Sequence, residues 1–551
     1  MAAFWLLLLL LVVSASWVLR TWRDQSLRGK KAVTTYPPGL RPYPVIGHLP
    51  QFLANRHRLL DWMTEAVASH PTCTFVLRRP GGVRGVITAS PANVEHLLRG
   101  GFDNYPKGPR FASLLHDFLG RGVFNADGAA WRAQRKVASH EFNTRSLRAF
   151  VARCVHGELH GRLLPRLRRA ASSIDLQDVL ERFAFDNICR VAFDHDPRQL
   201  PEDDAGLVDS NDDSAAGSRF ADAFRDAANI SAGRFRYAVP GFWMIKKALN
   251  VGSERRLRES IAIVHDFADR IIRERREEMS TASAAGGGRE KHDLLSRFMA
   301  SEDEAFAESG VPVRDVVISF LLAGRETTSS ALTWFFWLLS SRPDVARRVR
   351  DEVAATRARR PQHGDQRDAV GFDLDELRGM HYVHAAITES MRLYPPVPVN
   401  SLRAEADDVL PDGTPVRAGW FAAYNSYAMG RMESVWGADA REFRPERWLA
   451  VADETTAAGE GGGGGGAFFR PDSPFRFVAF HAGPRVCLGK EMAYIQMKSI
   501  VACVLEELNV EVDGAYRPRQ SLSLTLRMQD GLPVTVKPRR DSSITDDRRV
   551  F

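Results

Sequence analysis

Residues 480–489 constrain this chain more than any other stretch. Phe480, Gly483, Arg485, Cys487 and Gly489 form the pattern Phe-x-x-Gly-x-Arg-x-Cys-x-Gly. A lone thiolate is a soft axial ligand for heme iron, and thiolate ligation favours O–O cleavage. Gly483 and Gly489 let the backbone turn tightly and approach a flat macrocycle with no Cβ in between. Backbone N–H groups in such a turn point at the sulfur and tune its basicity. Arg485 keeps its charge and can pair with a heme propionate, and Phe480 can pack on the thiolate side of the ring. The competing reading is a buried structural cysteine beside a helix start, and five fixed positions together argue against it.

The other cysteines, Cys73, Cys154, Cys189 and Cys503, form no Cys-x-x-Cys or Cys/His cluster, which argues against zinc and iron–sulfur sites. Cys154, Cys189 and Cys503 lie in apolar-periodic segments and read as core, a usage that suits a reducing compartment. Lys and Arg total 75 against 68 Asp and Glu. That excess is mild for 551 residues, and no nucleic-acid-binding motif accompanies it.

Phe4 to Leu19 is almost uninterrupted in apolar side chains, close to the ~20 residues that cross a bilayer. Arg20, Arg23, Arg28, Lys30 and Lys31 follow it, so the positive-inside rule places the rest of the chain in the cytosol. A cleaved secretory signal is the alternative, but the basic residues stand on the wrong side of the apolar run. Residues 1–22 are thus expected to be a membrane anchor. Residues 23–54 are expected to be a basic, proline-rich connector, with four prolines between Tyr36 and Pro44 stiffening an extended chain.

Residues 55–551 read as one large, mostly helical domain with a smaller β portion. Helices are expected over Arg58–Ala68, Ala130–Phe150, Gly157–Arg169, Asp175–Ala192 and Ser253–Met279. Strands joined by a Gly81-Gly82 turn are expected over Cys73–Ala89. Residues 199–218 read as an acidic surface loop, Ser280–Gly288 as a small-residue flexible link, and Arg357–Val370 as a loose connection. The glycine run at 461–466 is a low-complexity insert. Val311–Ser341 is a long apolar helix. Arg325 and Glu326 near its middle make it a buried core helix, not a second membrane span.

That helix carries Ala323-Gly-Arg-Glu-Thr-Thr328. A mid-helix glycine followed by hydroxyl residues weakens the backbone ladder, and the Thr327 hydroxyl can bond a freed carbonyl. Glu326 and Thr327 then form an acid–alcohol pair able to relay protons to bound oxygen. Glu389 and Arg392 share a helix face at i,i+3, which alone fits an ordinary ion pair. Trp131 and Arg135 share a face at i,i+4, and both are hydrogen-bond donors for a heme propionate.

Together these motifs resemble the cytochrome P-450 superfamily of heme-thiolate monooxygenases, in family order across residues 131–489. The resemblance implies the cytochrome P-450 fold, preceded here by one transmembrane helix. It implies heme b with Cys487 as its axial ligand, and Thr327 and Glu326 as catalytic residues. Trp131, Arg135, Arg403, Phe480, Gly483, Arg485 and Gly489 would contact the cofactor. Glu389 and Arg392 would form a buried pair that locks Arg447, from Phe443-Arg-Pro-Glu-Arg-Trp448. The pattern departs only in Glu326, where Asp is commoner. The implied partner is NADPH–cytochrome P-450 reductase, which passes electrons from NADPH through flavin. The implied location is the endoplasmic reticulum membrane, with a single anchor and a cytosolic catalytic domain.

Longer stretches, Asn104–Gly108, Ser330–Leu339, Tyr424–Glu433 and Gly489–Lys498, resemble the plant fatty-acid ω-hydroxylase clan, within it the CYP94 family and its D branch. That clan hydroxylates fatty acids at or near the methyl end, and some relatives oxidise jasmonoyl-isoleucine. Phe111, Leu115, Phe320, Ala323, Val397, Val399 and Leu524 are candidate liners of an apolar substrate channel, or ordinary core. A heme-thiolate hydroperoxide isomerase and a non-catalytic heme protein are competing classes. Neither needs the acid–alcohol pair.

Overall fold

The computed structural model describes residues 40–140, 155–170, 172–200, 211–284, 293–300, 304–360, 371–451 and 467–539. Its principal helices are α1 (Leu59–Ala68), α2 (Gly108–Leu119), α3 (Gly128–Ser139), α4 (Leu176–Phe193), α5 (Asn211–Gly233), α6 (Ser253–Ala284), α7 (Val313–Ser340), α8 (Pro343–Ala358), α9 (His381–Leu393) and α10 (Lys490–Glu507). The main sheet combines β1 (Thr74–Arg78), β2 (Arg84–Thr88), β3 (Val399–Arg403) and β4 (Phe421–Asn425) in the order β1-β2-β4-β3. Strands β1 and β2 are antiparallel with Val76 opposite Val86. Strands β2 and β4 run parallel, and β3 runs antiparallel to β4. Late in the chain, β5 (Leu508–Val512) pairs with β8 (Pro533–Pro538), and the short hairpin β6 (Gln520–Leu522) and β7 (Leu526–Met528) lies between them in sequence.

Helix α7 organises the molecule because its two halves enter different cores. Val316, Val317, Ile318, Leu321 and Leu322 pack with α2–α6. Ala331, Leu332, Trp334, Phe335 and Phe336 pack with α8–α10 and the main sheet. The polar residues 324–328 fall at the junction. A stripe that must satisfy two hydrophobic environments reads as apolar nearly all round, as buried helices do. Among the described residues no helix is long and apolar enough to cross a membrane, and α7 is a core helix, as its central charges require.

The helical expectations for 58–68, 157–169, 175–192, 253–279 and 311–341 match observed helices, and the two strands meet at the Gly81-Gly82 turn. Three boundaries need correction. The acidic segment at 211–218 is not loop, because α5 begins at Asn211. Helix α6 runs on to Ala284, so the small residues 280–284 are helical; alanine and serine do not oppose a helix as glycine does. Leu49–Ala54, inside the expected connector, is a helical turn with Pro50 in its first positions. The anchor, the prolines up to Pro38, residues 141–154 and the glycine run lie outside the described residues. Cys189 and Cys503 are buried, whereas Cys73 is partly exposed.

Candidate active site

The segment before α10 folds back on itself. The Cys487 N–H donates to the Phe480 carbonyl at 2.8 Å and the Val486 N–H to the Gly483 carbonyl at 3.0 Å. Gly483 has φ +63°. A Cβ there would lie 2.0 Å from the Leu98 carbonyl oxygen, so no other residue fits. The Phe480 ring packs on Tyr494 at 5.1 Å between centroids. Burial pushes the Cys487 thiol up, while the Gly489 N–H and the charges of Arg135 and Lys490 oppose that shift. The backbone donor and these positive charges all favour a thiolate, and a bound metal completes its deprotonation.

Opposite, the Thr327 hydroxyl donates to the Ala323 carbonyl at 2.6 Å, the i−4 bond expected from the sequence. Ala323, Gly324, Thr327 and Thr328 line one cavity with Cys487. Glu326 does not join Thr327 in that wall, which corrects the direct acid–alcohol pair. One position along a helix turns the side chain by ~100°. Glu326 is 2 % exposed and lies against Arg325, which also reaches Glu181 at 3.2 Å. Its other oxygen accepts from Thr525 Oγ1 at 3.4 Å, and Thr525 does line the cavity. Burial raises the Glu181 carboxyl against the pull of Arg325 and Arg527.

A cationic wall completes the enclosure. Lys107, Trp131, Arg135, His481 and Arg485 all line the cavity. Arg485 lies 4.6 Å from the Trp131 ring centroid. Asp127 accepts from Arg485 at 2.5 Å and from the Lys107 and Gly108 N–H groups at 2.9 Å each. Burial, then the charge of Arg485, pushes the Lys107 ammonium down to about 7. Burial, then Lys107, Arg485 and Arg135, pushes His481 down to about 3. The Arg485 Nε is buried without a hydrogen-bond partner. The half-buried guanidinium groups of Arg135 and Arg485, with the Lys107 ammonium beside them and Asp127 the carboxylate that Arg485 meets, leave negative charge to be supplied, and the two propionates of heme fit that deficit. Arg403 is not part of this wall. It ends β3, pairs with Glu405 at 3.2 Å near the surface, and rests its stem against Gly108.

The cytochrome P450 family profile matches residues 37–535. The chain is 48% identical over 497 residues to cytochrome P450 CYP94D108 of Paris polyphylla, covering 89% of this chain and 90% of that one. It is 44% identical over 509 residues to cytochrome P450 94A1 of Vicia sativa, covering 91% of each. It is 42% identical over 518 residues to cytochrome P450 94B1 of Arabidopsis thaliana, covering 92% and 93%. This chain is a cytochrome P450. It is a monooxygenase of that family, whose members carry heme on a cysteine thiolate.

The P450 cavity measures about 510 Å³, and Phe111, Leu115, Phe320, Ala323, Val397, Val399 and Leu524 all face it. Leu524 and Thr525 reach it from the turn between β6 and β7. Behind the thiolate segment, Arg392 meets Glu389 through two bonds of 2.7 and 2.8 Å. Arg447 approaches the same carboxylate at 3.5 Å, and Trp448 Nε1 donates to it at 2.9 Å. Arg392 and Arg447 also bind the carbonyls of Ala440 and Trp436, at 2.6 and 2.9 Å. The three residues thus tie α9 to the strap that leads into the cysteine loop.

Sequence reasoning missed Lys107, Asp127, Asn187, His481 and Thr525. Lys107 stood in the conspicuous run Asn104–Gly108, whose lysine is polar in an otherwise turn-forming stretch. Asn187 on α4 is 2 % exposed, lines the cavity, and has no hydrogen-bond partner for either amide atom. Nothing in its neighbourhood in the sequence marks it out.

Proposed function

We propose that this P450 hydroxylates fatty acids at or near the methyl end. Cys487 holds heme b, and electrons come from NADPH through the flavin of NADPH–cytochrome P-450 reductase. The observation that carries the reading is a largely apolar cavity with Cys487 and Thr327 among its walls. Such a space suits an alkyl chain with few polar groups to orient it. Trp131, Arg135, Arg485 and Lys107 would hold the propionates, and Phe480, Gly483 and Gly489 would shape the thiolate side. When bound, heme supplies O2 activation and the oxidation of an unactivated C–H bond.

The chain's own residues do the rest. The Gly489 N–H and the α10 end set the basicity of the sulfur. Thr327 offers a hydroxyl in the cavity wall. Glu326 reaches the cavity through Thr525, so proton supply runs from a buried carboxylate through a hydroxyl. Apolar side chains such as Phe111, Leu115, Phe320 and Leu524 expel water from the cavity and restrict which carbon approaches the thiolate side.

Residues 1–22 would anchor the chain in the endoplasmic reticulum membrane, with residues 23–54 as the connector. Exposed apolar side chains support this seat. Tyr43, Val45 and Ile46 stand 46%, 81% and 38% exposed just after the connector prolines, and Phe242, Met244, Ile245 and Leu249 are 48–66% exposed. Arg79 joins the two patches, lying over Phe52 and donating to the carbonyls of Phe235 and Tyr237.

Asn187 favours a second reading. A buried, unpartnered amide suits a ligand carrying its own amide, such as jasmonoyl-isoleucine. The test is incubation with reductase, NADPH and a panel of medium- and long-chain fatty acids, jasmonoyl-isoleucine and a sterol, with products read by mass spectrometry. Terminal or near-terminal hydroxy acids are expected, and oxidised hormone conjugate alone would move the assignment to the second reading. The Cys487→Ala variant is expected to lose the heme-thiolate spectrum; a normal spectrum in that variant would refute the ligand assignment.

A further inference from the structure

Three more arginines line the cavity, from three separate elements: Arg79 just after β1, Arg110 in the first turn of α2, and Arg236 in the turn Arg234–Arg236 that leaves α5. Among the described residues none of the three is paired with a carboxylate. Arg79 meets backbone carbonyls and a ring, and Arg110 meets a ring. Arg79 donates to Phe235 O at 2.8 Å and to Tyr237 O, so it brackets Arg236 from both sides. It also lies 5.1 Å from the Phe52 centroid, and Arg110 lies 5.9 Å from the Phe421 centroid. Burial holds the Arg79 guanidinium down to about 10, with the charge of Arg110 adding to it. It stays charged at neutral pH. Arg110 and Arg236 are lowered by burial alone.

Arg79 feels the charge of Arg110, and Arg236 is tied to Arg79 through the Phe235 and Tyr237 carbonyls; like charges in an apolar enclosure are unfavourable until an anion joins them. The heme propionates do not answer this, because Lys107, Arg135, Arg485 and Trp131 already form their cradle. Arg79 is anchored by its two carbonyls, which leaves Arg110 and Arg236 with guanidinium forks suited to a planar carboxylate. The position also has a direction. Tyr237, held by Arg79, opens the segment whose Val239, Phe242, Met244 and Ile245 are exposed, so the cluster stands where the cavity meets the surface.

We propose that Arg79, Arg110 and Arg236 form a carboxylate-binding subsite at the mouth of the cavity, gripping an apolar-tailed acid by its head so that the tail's far end points toward the Cys487 wall. This rests on the fatty-acid reading and deepens it. It explains how a cavity with few polar groups could select a terminal carbon, by fixing the opposite end. An acid with a long alkyl tail and a hormone conjugate with a free carboxylate offer the same head chemistry.

The test uses the full-chain holoenzyme and measures binding, not turnover. Lauric acid, methyl laurate, dodecanol and jasmonoyl-isoleucine each compete with a fluorescent fatty acid. Wild type is expected to bind lauric acid at least about tenfold more tightly than its ester or alcohol. Arg110→Gln and Arg236→Gln are each expected to weaken the acid about tenfold, leave the ester unchanged and retain heme. If jasmonoyl-isoleucine alone shows that arginine dependence, the subsite belongs to the conjugate. Equal binding of acid and ester by wild type would overturn the proposal. So would equal losses of acid and ester in the variants, or loss of heme from Arg110→Gln, which would make that residue a propionate ligand. Failure of the function reading is separable: acid selectivity with no hydroxylated product refutes the fatty-acid assignment and keeps the subsite, whereas terminal hydroxylation of acid and ester alike, with equal binding, does the reverse.

Discussion

One residue separates the sequence expectation for proton supply from the observed geometry. Glu326 and Thr327 are neighbours in the chain, yet only Thr327 faces the cavity. Glu326 is held in a buried cluster with Arg325, Glu181 and Arg527. Its link to the cavity is the hydroxyl of Thr525, a residue 199 positions away in sequence. Removing that hydroxyl while keeping the side-chain shape is therefore informative. Thr525→Val is expected to reduce hydroxylated product per NADPH consumed by about tenfold or more, less than the full contribution of a positioned proton donor because water can partly replace the hydroxyl. Thr327→Ala is expected to act in the same direction, with heme content unchanged in both. The check is NADPH oxidation followed alongside product. Coupling that stays at the wild-type level in Thr525→Val would mean that Glu326 reaches the cavity by another route.

At the scale of elements, α7 shows which features were legible in the sequence. Its length, its burial and the Thr327 back-bond all followed from apolar length, central charge and the Gly–hydroxyl pattern. The cysteine loop and the Glu389–Arg392 pair were legible for the same reason, since each depends on short-range spacing, whereas Arg447, 58 positions from Glu389, came only from the family resemblance. Of the cavity's polar wall, Trp131, Arg135 and Arg485 were named from their motifs, whereas Lys107, Asp127 and His481 were not, because Lys107 and Asp127 reach the cysteine loop only through tertiary packing and His481 stands at an unmarked position of that loop. Arg403, at the end of β3, pairs with Glu405 here. Gly324 gives a test in which propensity and packing disagree in sign. Glycine inside a helix costs about 1 kcal/mol against alanine, so Gly324→Ala would stabilise an isolated α7. In the molecule a Cβ would stand 2.4 Å from Ile188 Cγ1 and 2.5 Å from its Cβ, in the contact of α4 with α7. The expected result is a net loss of about 1–3 kcal/mol, the range for overpacking, read from the denaturant midpoint. A gain would show that α4 and α7 can separate at no cost.

At the scale of the whole molecule, two groups of buried titrating side chains oppose each other in the same pH window. His48, His160, His195, His265, His381 and His384 sit in different parts of the fold, and burial lowers each of them. His160 falls to about 4 and His384 to about 2. These rings stay neutral in the native state but take a proton in the unfolded chain below about 6.5. The unfolded state then binds more protons, so stability falls as pH drops below about 6.5. Asp186 works the other way. Burial raises its carboxyl to about 7, although it accepts the Gln199 and Leu200 N–H groups at 3.0 and 2.9 Å. It is protonated in the native state where the unfolded carboxyl has already ionised, so its contribution is lost as pH rises from about 4 to 7. Each proton difference contributes a slope of about 1.4 kcal/mol per pH unit at most. His384 stacks on Tyr494 and meets Phe469 at a tilt, each 4.0 Å between ring centroids, so His384→Phe preserves the ring contacts and removes the titration. That variant should lose less stability between pH 6.5 and 5 than wild type. Asp186→Asn, which deletes the opposing slope, should lose more. Denaturant midpoints at four pH values, followed by tryptophan fluorescence, distinguish the two. Parallel curves for both variants would mean that neither group is protonated differently in the native and unfolded chains.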